Sequence, residues 1–394
     1  MDFEFSDAEQ AFAREVEAFL DEHATPDVAD VCRENMAQIV DTPPRRAFVK
    51  KLAAKRWIGM TWPKQYGGQE QEGVYEYILN EALARRGAPQ IGKGAGIIGK
   101  TLIRHGSEKL KREFLPQIID GDIEFAVGYS EPQAGSDAAN MQLKAEKVDG
   151  GWTLNGQKIW TTSAHFADWY WLGARTNPDA PKHDGISLFL IPMDHPGLEV
   201  QAMPTIGDEI TNQVFFNDVF VADEYMVGEE GRGFRYISEA LDLERFTMFT
   251  FAPTEQKLGE LVEYVREAKR DDRPLREDPF ARRKIARLTT EAEVARVLGL
   301  RFVAAARSVG DRPPTVEASE YKLYATHLSQ RVANAMVDLA GAGGQLRVHT
   351  EGAPMRGRPD MSYRYSVLDT IGGGSSEIQK NIIARRKLGL PKNF

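Results

Sequence analysis

The hydrophobic period of this 394-residue chain changes twice, and that double change limits its architecture more than any single motif. From residue 1 to about 120, apolar residues recur at helical spacing. "SDAEQAFAREVEAFLDEH" places Ser6 as an N-cap ahead of Phe12, Val16 and Phe19 on one face. "RRAFVKKLAAKRWIG" and "EKLKREFLPQII" repeat the pattern. From about 122 to 235 the text breaks into short runs rich in β-branched and aromatic residues, among them "GGWTLNGQKIWTT", "DWYWLGART", "ISLFLIPM" and "QVFFNDVFV". Gly, Asn, Asp or Pro separates them, which is the pattern of strands and turns. From about 236 long helical stretches return, interrupted by the loop-like "AKRDDRPLREDP". Helices, strands and helices in blocks predict an α+β multidomain chain, not alternating β/α units. The predicted divisions are an N-terminal helical domain (1–121), a central β-domain (122–235) and a C-terminal helical bundle (236–394).

Composition narrows the function classes. A net charge of −8 lacks the basic face that nucleic-acid binding needs, so no nucleic-acid partner is expected. A single cysteine, Cys32, rules out an intrachain disulfide framework and fits a reducing compartment. No apolar run approaches the roughly 20 residues that span a bilayer, and the acidic opening "MDFEFSDAEQ" is no signal peptide, so a cytoplasmic protein with no membrane span is expected. Seven scattered histidines show no metal-ligand spacing, and no metal is expected.

Several stretches invite a chemical reading. "GAGIIGKT" (94–101) satisfies the phosphate-loop pattern formally, but no buried strand precedes it; small residues that let helices pack closely are the better account. "VGYSEPQAGSD" (127–137) offers Ser130, Ser136 and turn amides to an anionic or polar-ring ligand, although composition alone favours a plain turn. In "KIWTTSA" (158–164), strand alternation would put Trp160 and Thr162 on one face, a flat ring beside a hydroxyl. "EALDLERFTMF" (239–249) reads as the start of a helix that sets Glu244 among Leu243, Phe246, Met248 and Phe249. Desolvation there would raise the carboxyl pKa and suit a general base, whereas an ordinary Glu244–Arg245 surface pair is the alternative. "DTIGGGSSEIQ" (369–379) sets three glycines before a helix, where something must approach the backbone closely.

Taken together these segments resemble the acyl-CoA dehydrogenase family over essentially the whole chain. "SDAEQAFAREV", "GMTWPKQYGG", "RHGSEKLKREFLPQIIDGDIEFAVGYSEPQAGSD", "LNGQKIWTTSA", "LDLERF" and "GGGSSEIQKNIIARRKLG" occur in that family's order. The resemblance implies a helical domain, a central β-barrel or sandwich domain and a C-terminal four-helix bundle, with FAD as cofactor. Val127, Tyr129, Ser130 and Ser136 would line the flavin and its pyrophosphate. Trp160 and Thr161 would pack near the isoalloxazine, Thr162 would hydrogen-bond near its N5, and Ser375 and Glu377 would contact FAD. Ser136, Asp242, Arg245 and Gly373 fall at substrate-facing positions, with Asp242 and Arg245 near the thioester and pantetheine. The implied reaction is α,β-dehydrogenation of an acyl-CoA, with an electron-transfer flavoprotein or similar acceptor taking the electrons. A tetramer is implied.

Two positions depart from the family pattern. The signature glutamate that serves many members as base falls on Gly373, so the resemblance to isovaleryl-CoA-type members points to Glu244 instead. The neighbour-facing FAD half-site, commonly R-x-Q-F-G, falls on "AKRDD" (268–272), and Asp338 stands where glutamine is common. Acidic residues there would repel a pyrophosphate. That pattern suits a heterotetramer with a second acyl-CoA dehydrogenase-like subunit, with a homo-oligomer as the alternative. The glycines suggest branched or bulky acyl groups, including steroid-derived thioesters. Two rival readings stay open: a flavin monooxygenase or oxidase on the same fold, and a supporting, non-catalytic subunit.

Overall fold

The computed structural model describes residues 4–33, 40–248, 250–308 and 314–391, with the side chains of 242–248 and 306–308 outside that description. Helices come first: α1 (Asp7–His23), α2 (Pro43–Ala54), α3 (Gly73–Arg86), α4 (Gly99–His105) and α5 (Glu108–Ile119). Ser6 caps α1 in a reciprocal box with Glu9, each side chain accepting the other's backbone N–H. Val16 and Phe19 are buried and Phe12 packs against the same core, as their spacing predicts.

Strands β1 (Phe125–Gly128), β2 (Lys144–Val148), β3 (Gly151–Lys158), β4 (Trp169–Arg175), β5 (Ile186–Pro192), β6 (Leu198–Pro204), β7 (Ile210–Ala222) and β8 (Met226–Val227) form one sheet. The strand order is β6-β7-β3-β2-β4-β5-β8, and β1 pairs with β4 in parallel. Alternation along β4 and β5 feeds two cores. Trp171, Ile186, Leu188 and Leu190 join the core of the N-terminal helices, whereas Tyr170, Leu172, Phe189 and Ile191 pack with β3 and β7 on the opposite face. One apolar core therefore runs continuously from the first helices onto the sheet.

The chain then returns to helices: α6 (Gly233–Met248), α7 (Ala252–Glu267), α8 (Pro279–Ser308), α9 (Thr315–Ala340), α10 (Arg358–Asp369) and α11 (Ser376–Ile382). Helix α9 is the hub of this part, packing against α7, α8, α10 and α11. Leu328, Val332 and Met336 on α9 meet Leu258, Leu261 and Leu288 from α7 and α8. Helix α6 contacts α9 and the Gly94–Ile98 π-helix, bridging the two helical parts.

Two local expectations need correction. Helix α6 starts at Gly233, so residues 239–248 continue it and do not begin it. A Cβ at Gly233 would meet the backbone of Ile186 and Ser187 at 2.7–2.8 Å, so that glycine serves close helix–sheet approach and not chain breaking. "AKRDDRP" forms a small hairpin, β9 (Lys269–Arg270) with β10 (Arg273–Pro274), and not an irregular loop. Asp271 and Asp272 make its two-residue turn with both φ positive, a conformation aspartate tolerates better than most residues.

The phosphate-loop lookalike is structural. Trp62 lies where a side chain at Gly99 would have to be, and its indole N–H donates to Ala95 O at 3.2 Å. Lys100 is paired with buried Glu76 at 2.7 Å, and the Thr101 hydroxyl donates to Ile97 O.

Candidate active site

Two segments of the sheet region are joined by one buried ion pair. After β1 the chain enters the 129–137 loop. Glu131 and Ala134 exchange backbone hydrogen bonds across a tight turn that holds Pro132. The Glu131 carboxylate turns inward and accepts from the N–H of Gln142 and, at 2.8 Å, of Leu143. It also pairs with Lys158 Nζ at 2.7 Å, the lysine being fully buried at the end of β3. Burial pushes the Lys158 ammonium down to about 8, and the Glu131 charge opposes that shift. Lys158 donates further to Tyr129 O at 3.3 Å, and Ile159 N–H donates to Ser130 O at 3.0 Å. The loop and the 159–163 turn are thus locked side by side.

The side chains of these segments divide between core and surface. Val127 and Tyr129 pack against the helical core, where the Tyr129 hydroxyl accepts from Trp171 Nε1 at 2.8 Å. Ser136 is exposed, and a Cβ at Gly135 would meet nothing within 4 Å, so this stretch of backbone is open to approach.

Trp160 and Thr162 do not share a strand face. Strand β3 ends at Lys158, and Trp160 has φ +59°, which reverses the alternation expected of an extended chain. The result is a tryptophan 62% exposed beside the 129–137 loop. Thr161 instead points inward, its hydroxyl bonded to Tyr170 at 2.8 Å and its backbone clasped by Asn212 in both directions. Thr162 is half-buried, and its carbonyl accepts from Lys93 Nζ at 3.3 Å. Lys93 also acts electrostatically on Glu124, whose carboxyl burial pushes up to about 7. A cleft of about 200 Å³ opens behind this turn between Arg33, Asp41, Ser163, Phe166 and Glu209. Its cation is already engaged by Asp41 and Glu209, so it offers no phosphate site.

The glycine run lies between α10 and α11. Gly373 and Gly374 have φ of +62° and +92°, which only glycine adopts without cost. Ser375 caps α11, accepting from Ile378 N–H, and Glu377 lies exposed beside it, its carboxyl held below the usual range by backbone and Ser375 hydrogen bonds. From beneath, α9 supplies the loop's contacts. Lys322, 1% exposed, donates to Gly372 O at 2.5 Å and to Gly374 O. Gln330 reaches Ser366 O and Thr370, and His327 shares a hydrogen bond with Ser376 at 2.9 Å.

Asp242, Glu244 and Arg245 belong to the last turns of α6, and their side chains lie outside the described residues. The backbone puts them on a helix that contacts α9, the same helix that carries Lys322. The acidic hairpin is tied to the end of α9, where Arg270 donates to Asp338 O and Leu339 O. Asp271, Asp272 and Asp338 therefore gather at one end of the bundle, with Lys284 offsetting Asp338.

The residues present are compatible with a flavin. An exposed planar ring beside an open serine-glycine backbone suits a tricyclic ring and an anionic tail. Glu131, Lys158 and Lys322 escape a reading of the sequence by motif. Alternation from Trp152 through Leu154 does place Lys158 on the inward side of β3, and that was the available signal for it.

Comparison with known proteins agrees with this layout. The family profiles for the acyl-CoA dehydrogenase N-terminal, middle and C-terminal domains match residues 6–122, 126–219 and 231–388. The acyl-CoA dehydrogenase FadE26 of Mycobacterium tuberculosis is 32% identical over 352 residues, covering 88% of each chain. The solved structure of the Tcur3481-Tcur3483 steroid ACAD is 31% identical with a TM-score of 0.90, covering 100% of both chains. That of the ChsE4-ChsE5 complex from Mycobacterium tuberculosis is 30% identical with a TM-score of 0.89, again over 100% of both. Among the described residues no helix is long and apolar enough to cross a membrane, and no cluster of His, Cys, Asp or Glu is arranged to hold a metal ion.

Proposed function

The chain belongs to the acyl-CoA dehydrogenase family, and on that premise we propose that it introduces an α,β double bond into a branched or bulky, steroid-type acyl-CoA, with Glu244 as the base. The observation that carries this reading is the glycine loop: at Gly373 the chain offers a backbone N–H and no carboxylate, so the proton acceptor must come from another element. Glu244 is the carboxylate that the family resemblance assigns to that role, on a helix that packs beside α9.

In this mechanism Glu244 takes the α-proton of the thioester. Bound FAD supplies the two-electron acceptor for the β-hydrogen, which leaves as hydride, so the acyl-CoA loses two hydrogens and becomes an enoyl-CoA. Charge that develops on the thioester oxygen is met by the Gly373 N–H. Val127, Tyr129, Ser130, Ser136, Trp160, Thr161, Thr162, Ser375 and Glu377 would hold the cofactor, Thr161 by fixing the turn that carries Trp160 and Thr162, because its hydroxyl and backbone are engaged by Tyr170 and Asn212. Asp242 and Arg245 would face the thioester and pantetheine.

The steroid-type substrate rests on likeness to the steroid ACAD and on the absence of side chains along 372–374. An electron-transfer flavoprotein or similar acceptor, in the cytoplasm, would reoxidise the flavin. The test is Glu244→Gln: turnover should fall by roughly 10²–10⁴-fold, the usual weight of a positioned general base, while FAD and acyl-CoA binding persist. Unchanged turnover would remove Glu244 from the role. Fastest reaction with straight-chain butyryl- or octanoyl-CoA would count against the bulky substrate.

The acidic hairpin favours a heteromeric assembly. Asp271 and Asp272 lie exposed at the position where the family presents an FAD half-site to its neighbour, and Asp338 gathers with them. Purified alone, the chain should hold less than one FAD per subunit, and co-expression with a second, family-related subunit should restore it. A stable homotetramer with one tight FAD per chain would overturn this. If the second subunit supplied all the catalysis, Glu244→Gln would leave the complex fully active, which is the supporting-subunit reading.

A further inference from the structure

The floor of the glycine loop is a constructed feature of this chain. Lys322 is one of the largest fully buried side chains, an ammonium group on α9 beneath the loop. Burying a charge is costly unless it meets partners. The carbonyls of Gly372 and Gly374 are among those partners. Between them, Gly373 O accepts from Gln379 Nε2 at 3.4 Å, and the same amide donates to Gly374 O at 2.9 Å. Three successive carbonyls therefore turn inward.

The peptide plane converts that arrangement into a statement about donors. In a trans peptide the C=O of one residue and the N–H of the next point in opposite directions. Drawing in the carbonyls of residues 372, 373 and 374 turns the N–H groups of Gly373, Gly374 and Ser375 outward. Among the described residues none accepts the N–H of Gly373 or Gly374, whereas the N–H of Gly372 and of Ser376 close turns onto Leu368 O and Thr370 O. The outward donors are adjacent, rigidly backed and supported by a positive charge. Charge-assisted bonds to the carbonyls polarise the same peptide units and strengthen their N–H groups as donors.

We propose that Lys322 is a positioning residue for the reaction: it fixes and polarises the 372–374 peptides so that their outward N–H groups hold the thioester oxygen as it becomes enolate-like. This rests on the dehydrogenase reading above and adds to it a residue that touches neither substrate nor cofactor.

The test uses the flavin-loaded protein, with its partner subunit if one is needed, and compares Lys322→Met and Lys322→Gln with the unaltered chain. Two readouts are taken: steady-state turnover, and the apparent pKa of a bound 3-oxoacyl-CoA, whose enolate carries charge on the same oxygen. Removing one oxyanion donor commonly costs 10²–10³-fold in kcat. Lys322→Met should lose at least tenfold in kcat with KM changed less than threefold, and should raise the ligand's pKa by about one unit, the equivalent of that tenfold. Lys322→Gln keeps a neutral donor and should recover part of both. A folded Lys322→Met with unaltered kcat and ligand pKa would overturn the proposal, even if it melts earlier. If that variant does not fold, Gln379→Leu removes the second set of contacts and should move both readouts in the same direction; no movement in either overturns the proposal. An unaltered protein that oxidises acyl-CoA but leaves the 3-oxoacyl-CoA pKa at its solution value overturns the role of the loop alone. One that neither oxidises acyl-CoA nor shifts that pKa overturns the dehydrogenase reading as well.

Discussion

Breaking the Glu131–Lys158 pair should cost stability and cofactor affinity together, because the pair sits beneath both. Lys158→Met leaves the Glu131 carboxylate buried with two backbone N–H donors and without its paired cation, Arg175 acting on it only through space. Removing one partner of a buried pair typically costs about 3–5 kcal/mol. Glu131→Gln leaves the ammonium neutral acceptors only, and since burial already depresses Lys158 and the opposing carboxylate charge is gone, it should lose its proton near neutrality. The double variant carries neither charge. Its loss should fall well short of the sum of the single losses, giving a coupling of roughly 2–3 kcal/mol.

Melting reports the first part. At roughly 2–4 °C per kcal/mol, each single variant should melt about 6–20 °C lower, and the double variant by clearly less than the sum of the two. Flavin retention after desalting reports the second. Loosening Lys158 frees the 129–131 segment from the turn that presents Trp160, so both single variants should release FAD more readily than the unaltered chain. Losses additive to within about 0.5 kcal/mol would refute the coupling. A Lys158→Met protein that is folded at the assay temperature and keeps FAD as tightly as before would refute the link between pair and cofactor.

Other outcomes follow from single sites. Trp160→Ala removes an exposed ring, so melting should move by less than about 0.5 kcal/mol in equivalent terms while FAD affinity falls, measured by flavin fluorescence. An unaltered affinity would argue against Trp160 as part of the flavin platform. Glu124→Gln tests the raised carboxyl. Its folded pKa of about 7 lies above the 4.5 of an unperturbed glutamate, so the stability it contributes is complete below 4.5 and lost as pH rises through 7. At pH 8 the variant should be more stable by up to about 3 kcal/mol, and at pH 4.5 indistinguishable, by denaturant midpoint. An equal effect at both pH values would show that the charge is not responsible.

The block order of helices, strands and helices was legible because it depends on local periodicity alone, as Ser6, Val16 and Phe19 illustrate. What escaped depends on contacts between distant residues or on backbone handedness. Lys158 meets a carboxylate 27 positions away, and Lys322 meets glycine carbonyls 50 and 52 positions away. Alternation along β3 marks Lys158 as inward without naming its partner, and Lys322 has no such signal. Trp160 was misplaced because alternation assumes an extended chain, and a single left-handed residue inverts it. Helix α6 begins at Gly233, ahead of the stretch read as its start, and that glycine serves close packing against β5.

The base proposed at Glu244 and the glycine run would then be two consequences of one loop conformation. Holding the carbonyls of 372, 373 and 374 inward requires positive φ at Gly373 and Gly374. A glutamate at 373 would pay roughly 1–2 kcal/mol to occupy that region, or would relax the backbone and swing the donors away. The chain can therefore present rigid N–H donors at 373 or a carboxylate there, but not both without strain. Combining Glu244→Gln with Gly373→Glu tests this directly. The double variant should stay within about threefold of Glu244→Gln in turnover and should melt lower, because the added carboxylate arrives with a distorted loop. Recovery of more than tenfold over Glu244→Gln would mean that the loop accommodates a base after all, and that the glycines are there for room alone.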